Sequence, residues 1–317
     1  MDEFELIHRY FSAQSVHRDD VRLGIGDDAA ILRVPAGQEL IASVDSLVAG
    51  VHFPTDLPVA AIGHRSLAVN LSDLAAMGAQ PAWALLALSM PQADAEWTQE
   101  FARGFFALAE RYQIELVGGN LARGPLNITV TVHGFVTPGQ ALTRKGARPG
   151  DQVFVTGWLG DAAAGLQRLQ AHAAVTETDS CVQRFCFPEP RIRAGLALRG
   201  IASAAVDVSD GLSADLGHLL EASGTGARLE VERLPLSPSL LQHGTREQAI
   251  NMALSGGDDY ELCFSVPSER MTLLESCEHE LDCPVTRIGE ITTEKTLRCL
   301  RHDRSQWPLP VAGYKHF

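Results

Sequence analysis

Apolar positions in the first half of the chain follow two periods, one helical and one of alternating residues. In "DEFELIHRYF", Phe4, Ile7, His8 and Phe11 fall at helical spacing. "ELIASVDSL" reads as a strand, and "VAAIGHRSLAVNLSDLAAMGA" carries a long helical pattern that Gly78 ends. "WALLALSM" predicts a buried strand, "AEWTQEFARGFFALAERY" an amphipathic helix and "LNITVTVHGFV" an alternating strand. After the glycine-rich, basic "TRKGARPGD" a second series begins. "QVFVTG" is a strand, "DAAAGLQRLQAH" a helix and "AAVDVSDGL" a strand entering a turn. "SADLGHLLEAS" follows as a helix and "YELCFSV" as a strand. Strands alternating with helices in two halves predict an α/β or mixed α+β protein, divided near residues 143–150, with strand order left open.

Composition narrows the class. The 317 residues suffice for two domains with their own cores, and 45% hydrophobic against 21% charged residues is a globular balance. A net charge of -13 argues against nonspecific nucleic-acid binding, which needs basic patches. The start, "MDEFELIHRYF", lacks the cationic and apolar regions of a secretory signal, and "WALLALSM" is too short to cross a bilayer. Six cysteines between Cys181 and Cys299 form no C-x-x-C pair, which predicts reduced thiols in a cytoplasmic protein.

The acidic positions carry the chemistry. "GIGDDAAIL" nearly spells a dinucleotide fingerprint, but β-like "AAILRVPAG" follows where a helix is required, and Asp27 and Asp28 would repel a bare phosphate. Asp45 interrupts an apolar strand, where a buried carboxylate needs a partner or a metal. Asp73 lies among Leu71, Leu74, Ala75 and Ala76, with Asn70 on the same helical face. Asp207 and Asp210 end an apolar strand, and a capping turn explains Asp210 as well as catalysis does. Such hard oxygen donors suit magnesium, which would turn an acidic pocket into a polyphosphate site. Further candidates are the glycine turn "VGGNLARG", Arg144 and Lys145 in the basic loop, "SGGDDYEL", and His52 in "GVHF". There is no Walker A motif, protein-kinase motif set or G-x-S-x-G.

Taken in order, "LGIGDDAAIL", "SVDSLVAGVHF", "AVNLSDLAAMGAQPAW", "VGGNLARGPL", "LTRKGARPGDQVFVTG", "DVSDGLSADLGHL", "ALSGGDDYELCF" and "GYKHF" resemble the thiamine-monophosphate kinases, within the aminoimidazole ribonucleotide synthetase superfamily. The resemblance runs almost end to end. It implies a two-domain fold of the synthetase type, with an N-terminal ATP- and metal-binding domain over residues 1–146 and a C-terminal α/β domain over 147–317. It implies a homodimer whose N-terminal sheets form a barrel, several Mg2+ ions, stimulation by K+, and γ-phosphoryl transfer from ATP to thiamine monophosphate. Carried over by position, Asp28, Ser43, Val44, Asp45, Asp73, Asn120, Asp207 and Asp210 match metal ligands. Gly119, Asn120, Arg144 and Ser209 match ATP contacts, and His52, Asp258 and Tyr314 match the thiamine phosphate site. Three positions depart from the family: Asn120 for an aspartate, Asp258 for a glutamate and Val44 for a threonine. Rival expectations are a superfamily member acting on a purine ribotide and a nucleotide sensor without turnover. Selenophosphate synthesis is disfavoured, because no cysteine precedes Cys181.

Overall fold

A computed structural model describes residues 2–176, 178–242 and 244–309. The chain separates into two units: residues 1–74 with 79–139, and residues 75–78 with 140–317.

The first unit opens with the helical turn α1 (Glu3–Leu6), followed by the short antiparallel pair β1 (Val21–Leu23) and β2 (Ile31–Leu32). A four-stranded sheet follows, built from β3 (Glu39–Val48), β4 (Gln80–Met90), β5 (Glu115–Arg123) and β6 (Asn127–Val136). Its order is β3-β6-β4-β5, with only β4 and β5 parallel. Helices α2 (Val59–Ala76) and α3 (Ala95–Arg111) supply the other layer. Their backbones touch at two glycines: a Cβ on Gly63 would lie 2.1 Å from the Phe101 carbonyl oxygen, and one on Gly104 1.9 Å from that of Ala60. That contact lets Ile62, Leu67, Phe101 and Phe105 close a dry core.

The second unit holds a six-stranded sheet of β7 (Gln152–Thr156), β8 (Ala204–Val208), β9 (Gly226–Glu230), β10 (Glu261–Val266), β11 (Val285–Thr292) and β12 (Leu297–Leu300). The order is β12-β9-β11-β7-β10-β8, and only β12 and β9 run parallel. Around it run α4 (Asp161–Gln170), α5 (Ser180–Cys186), α6 (Ile192–Ala197), α7 (Leu212–Ser223), α8 (Pro238–Gln242), α9 (Arg246–Ser255) and α10 (Met271–Ser276). Val153, Val155, Val206, Leu212, Leu216 and Cys263 belong to its core. The basic loop folds with this unit, because Ala205 N–H donates to the Thr143 carbonyl and Ser223 Oγ to the Arg144 carbonyl.

No helix among the described residues is long and apolar enough to cross a membrane.

Candidate active site

In the first unit, β3 is an edge strand, and helix α2 reaches it with two side chains. Ser43 Oγ donates to Asp73 Oδ2 at 2.5 Å, and Asp45 N–H donates to Asn70 Oδ1 at 2.9 Å. Asn70 in turn donates to the Ser66 carbonyl one turn earlier. The sequence puts Asn70 and Asp73 on one helical face, and from that face both reach the strand β3. Ser43 and Asp45 share a strand face by the two-residue period, so Ser43, Asp45 and Asp73 converge. Asp45 corrects an expectation: its side chain is exposed, because an edge strand buries only part of its length. Val44, on the opposite face, is 57% exposed. Asp28 sits in the exposed loop before β2. Its N–H donates to Asp27 Oδ1, and among the described residues no hydrogen bond ties it to the β3 group.

"VGGNLARG" is the second correction. The chain does not turn there; β5 continues through Gly118, Gly119 and Asn120 to Arg123, paired in parallel with β4. The glycine is needed for approach rather than for reversal, since a Cβ on Gly119 (φ 152°) would meet the Leu86 carbonyl oxygen at 1.8 Å. Register then fixes the geometry. Asp45, Val130, Leu86 and Gly119 form one row across the sheet, and Ser46, Thr129, Ala87 and Asn120 the next. Asn120 therefore projects from the face opposite Asp45, at the other edge of the sheet and three strand spacings (about 14 Å) away. Within one chain the structure does not bring Asn120 to Ser43, Asp45 and Asp73. His52 follows β3, and its Nδ1 accepts the Val48 N–H at 2.9 Å, which leaves the ring proton on Nε2 when the ring is neutral.

In the second unit the predicted positions gather around the end of β8. Asp207 is 4% exposed within the strand, while Ser209 and Asp210 form the turn into α7. The capping explanation for Asp210 fails, because the N-cap is Gly211 and no side chain caps the helix. The turn is instead held by Asp215, whose Oδ2 accepts the N–H groups of Ser209 (3.0 Å) and Asp210 (2.9 Å). Burial chiefly, and the neighbouring Asp210 charge, push the Asp215 carboxyl up to about 7; its two backbone hydrogen bonds and the Arg144 charge oppose them. Asp258 N–H donates to the Ser209 carbonyl at 2.7 Å, and Tyr260 Oη donates to Asp258 Oδ1 at 3.1 Å. Asp258 (φ 70°) and Tyr260 (φ 50°) both adopt left-handed backbone, a costly conformation for a tyrosine, so this loop is strained where it meets the turn. Tyr314 lies outside the described residues.

Beneath the loop lies a charged layer. Both oxygens of buried Glu261 receive the Arg191 guanidinium, and Thr156 Oγ1 adds a third bond at 2.6 Å. Asp259 accepts the Gly160 N–H at 2.8 Å, and burial drives its carboxyl well above the usual range. Arg191 remains charged because Glu261 outweighs its desolvation. Sequence reasoning missed Asp215 and Asp259. The signal was present for Asp215, an acidic residue among Leu212, Leu216 and Leu219 at helical spacing, the same pattern that singled out Asp73.

Among the described residues no three His, Cys, Asp or Glu side chains form a metal-binding group. The donor chemistry nevertheless fits a hard cation: carboxylates, a hydroxyl, an amide and backbone carbonyls are all oxygen ligands of the magnesium type.

Comparison with known proteins sets these groups in a family. A model described as AIR synthase related protein, N-terminal domain, matches residues 26–136, and its C-terminal counterpart matches residues 148–300. The thiamine-monophosphate kinase of Escherichia coli O157:H7 is 48% identical over 318 residues, covering 99% of this chain and 98% of that protein. The crystal structure of thiamine-monophosphate kinase from Stenotrophomonas maltophilia K279a superposes with a TM-score of 0.88 at 46% identity, covering 94% of this chain and 96% of that one. AaThiL complexed with AMPPCP and TMP gives a TM-score of 0.79 at 34% identity, over 92% of each chain. Likeness of this extent, with the fold agreeing in both units, shows that the chain belongs to the thiamine-monophosphate kinase family, on the mixed α/β AIR synthase-related fold.

Proposed function

We propose that this protein transfers the γ-phosphoryl group of ATP to thiamine monophosphate, giving thiamine diphosphate and ADP. The observation that carries the proposal is the full-length likeness to enzymes of that name, 48% identical over 99% of the chain. The related AaThiL complex, with its ATP analogue and TMP, supports the two substrates.

In this reading Asp28, Ser43, the Val44 carbonyl, Asp45, Asp73, Asn120, Asp207 and Asp210 hold Mg2+. When bound, the ions neutralise and align the two polyanionic substrates. Gly119, Asn120, Arg144 and Ser209 hold ATP, and His52, Asp258 and Tyr314 hold the thiamine phosphate. The acceptor is a phosphate whose second pKa is about 6, so it is ionised at neutral pH and needs no general base. The chain's own task is therefore placement. Ser43 orients Asp73 through its hydroxyl, Asn70 fixes the backbone at Asp45, and Arg144 meets phosphate charge from an exposed loop. Transfer is direct and in line, without a phosphorylated side chain. Stimulation by K+ and a cytoplasmic location belong to the same proposal.

A homodimer completes it. The β3 edge exposes Leu40 (44%) and Val44 (57%), and an open apolar edge is a surface that pairing with another copy would cover. The decisive experiment measures ADP release from ATP and magnesium, with and without thiamine monophosphate, and identifies the thiamine product by chromatography. Acceptor-dependent ADP with equimolar thiamine diphosphate is expected. ATP binding without acceptor-dependent ADP would overturn the assignment, and turnover with a purine ribotide in place of thiamine monophosphate would identify a different superfamily activity.

A further inference from the structure

Helix α7 starts on Gly211 (φ 105°), with no side chain satisfying its first turn. Its fourth residue, Asp215, points back past the helix start. The N–H groups that its Oδ2 accepts belong to Ser209 and Asp210, both ahead of the N-cap, while the first intrahelical bonds run from Ala214 and Asp215 to the Gly211 carbonyl. Asp215 thus serves the turn rather than the helix. Its side chain is 3% exposed, beside Leu212 and Leu216 of the core, so it offers nothing to solvent and does not contact a ligand directly. On the other side of the same turn, Ser209 O accepts the Asp258 N–H at 2.7 Å and Val208 O accepts the Tyr260 N–H at 2.8 Å. The turn's backbone is therefore gripped from both sides: by a buried carboxylate below and by the strained Asp258 loop across from it.

We infer that Asp215 is a positioning residue, holding the Ser209–Asp210 turn so that the Ser209 hydroxyl and the Asp210 carboxylate face a magnesium–nucleotide. This rests on the proposed roles of Ser209 and Asp210. The bonds are two N–H groups to one oxygen, an arrangement that a carboxamide oxygen also satisfies. Geometry, not charge, carries the function.

The test uses the full chain, with magnesium–ATP binding followed by calorimetry in the absence of acceptor and kcat and KM measured for each substrate. Asp215→Asn keeps the acceptor oxygen in place and is expected to bind magnesium–ATP within about twofold of the parent. Asp215→Glu keeps the charge but moves the oxygen by a methylene, and Asp215→Ala removes it; each is expected to weaken magnesium–ATP binding roughly tenfold, the worth of one or two backbone bonds. The KM for thiamine monophosphate stays within about twofold in all of them. If Asp215→Ala does not fold, the Asn and Glu variants alone decide, because a role of the charge predicts the reverse order. A double-mutant cycle adds a second readout: Asp215→Ala in an Asp210→Asn background should cost markedly less than Asp215→Ala alone. Additive losses, or a lowered melting temperature in Asp215→Ala with parental magnesium–ATP affinity, would reduce Asp215 to a structural residue and overturn the inference. Binding of magnesium–ATP by a parent that does not phosphorylate thiamine monophosphate would sink the kinase proposal while leaving these comparisons readable.

Discussion

Asp73 illustrates how much one side chain on an apolar helix can say. It is surrounded in sequence by residues that the structure buries completely, Leu71, Leu74 and Ala75, yet it bonds Ser43 on the neighbouring strand at the sheet edge. Asp73→Asn retains an oxygen to accept the Ser43 hydroxyl, so the fold is expected to stand, with a circular-dichroism spectrum and melting temperature close to the parent. Removal of the charge is expected to lower kcat about a hundredfold or more, the scale at which altering even the supporting shell of a metal site acts. Near-parental turnover would remove Asp73 from the metal set. Asn120 tests the same proposal in the other direction. Its amide brings an oxygen without charge, so Asn120→Asp should lower the magnesium concentration for half-maximal rate severalfold; an unchanged or raised requirement would exclude it as a ligand. The structure sharpens this test, because Asn120 sits across the sheet from Asp45 and on its other face.

At the scale of elements, close backbone contact between α2 and α3 rests on two glycines that the hydrophobic pattern treats as neutral. A methyl group on Gly104 would lie 1.9 Å from the Ala60 carbonyl oxygen, a backbone atom that cannot swing away. Gly104→Ala is expected to destabilise the first unit by about 3 kcal/mol, the upper end of overpacking costs, and to lower its apparent melting temperature by roughly 10 °C. A melting temperature unchanged in differential scanning calorimetry would show that the helices part easily. Long periodic segments were legible in the sequence: the patterns of α2, α3, β3, β6, α7 and β10 stand where periodicity puts them. The start of β5 was legible as the strand "IELV", but its continuation was not, because "VGGNLARG" carries the turn residues that local chemistry associates with reversal, while the reason for Gly119 lies on β4, in the Leu86 carbonyl. The helices α5, α6 and α9 and the strands β9, β11 and β12 were equally silent. Their burial is set by partners distant in the chain.

At the scale of the molecule, sequence singled out acidic residues one at a time and could not say which of them meet. Local spacing links Asp207, Ser209 and Asp210, and the structure adds Asp258 and Asp215 from elsewhere. Spacing suggests nothing of the Ser43–Asp73 bond, which spans two elements, nor that Asp45 would be exposed rather than buried. That exposure belongs to a strand with one partner only, β6, and an outward row of Leu40, Ala42 and Val44. Such an edge in isolation invites uncontrolled pairing, and the described strand carries no proline or lysine to discourage it. A defined second copy is the economical cover. Leu40 lies outside the proposed ligand set, so Leu40→Lys tests association without touching the chemistry. The parent is expected to elute at the mass of a dimer in size-exclusion chromatography with light scattering, and Leu40→Lys to shift toward the 34.2 kDa monomer as concentration falls. If the variant remains as dimeric as the parent at every concentration, the contact between copies lies elsewhere. If it becomes monomeric and loses turnover in parallel, the edge strand that presents Ser43 and Asp45 depends on its neighbour to keep the ligands in place.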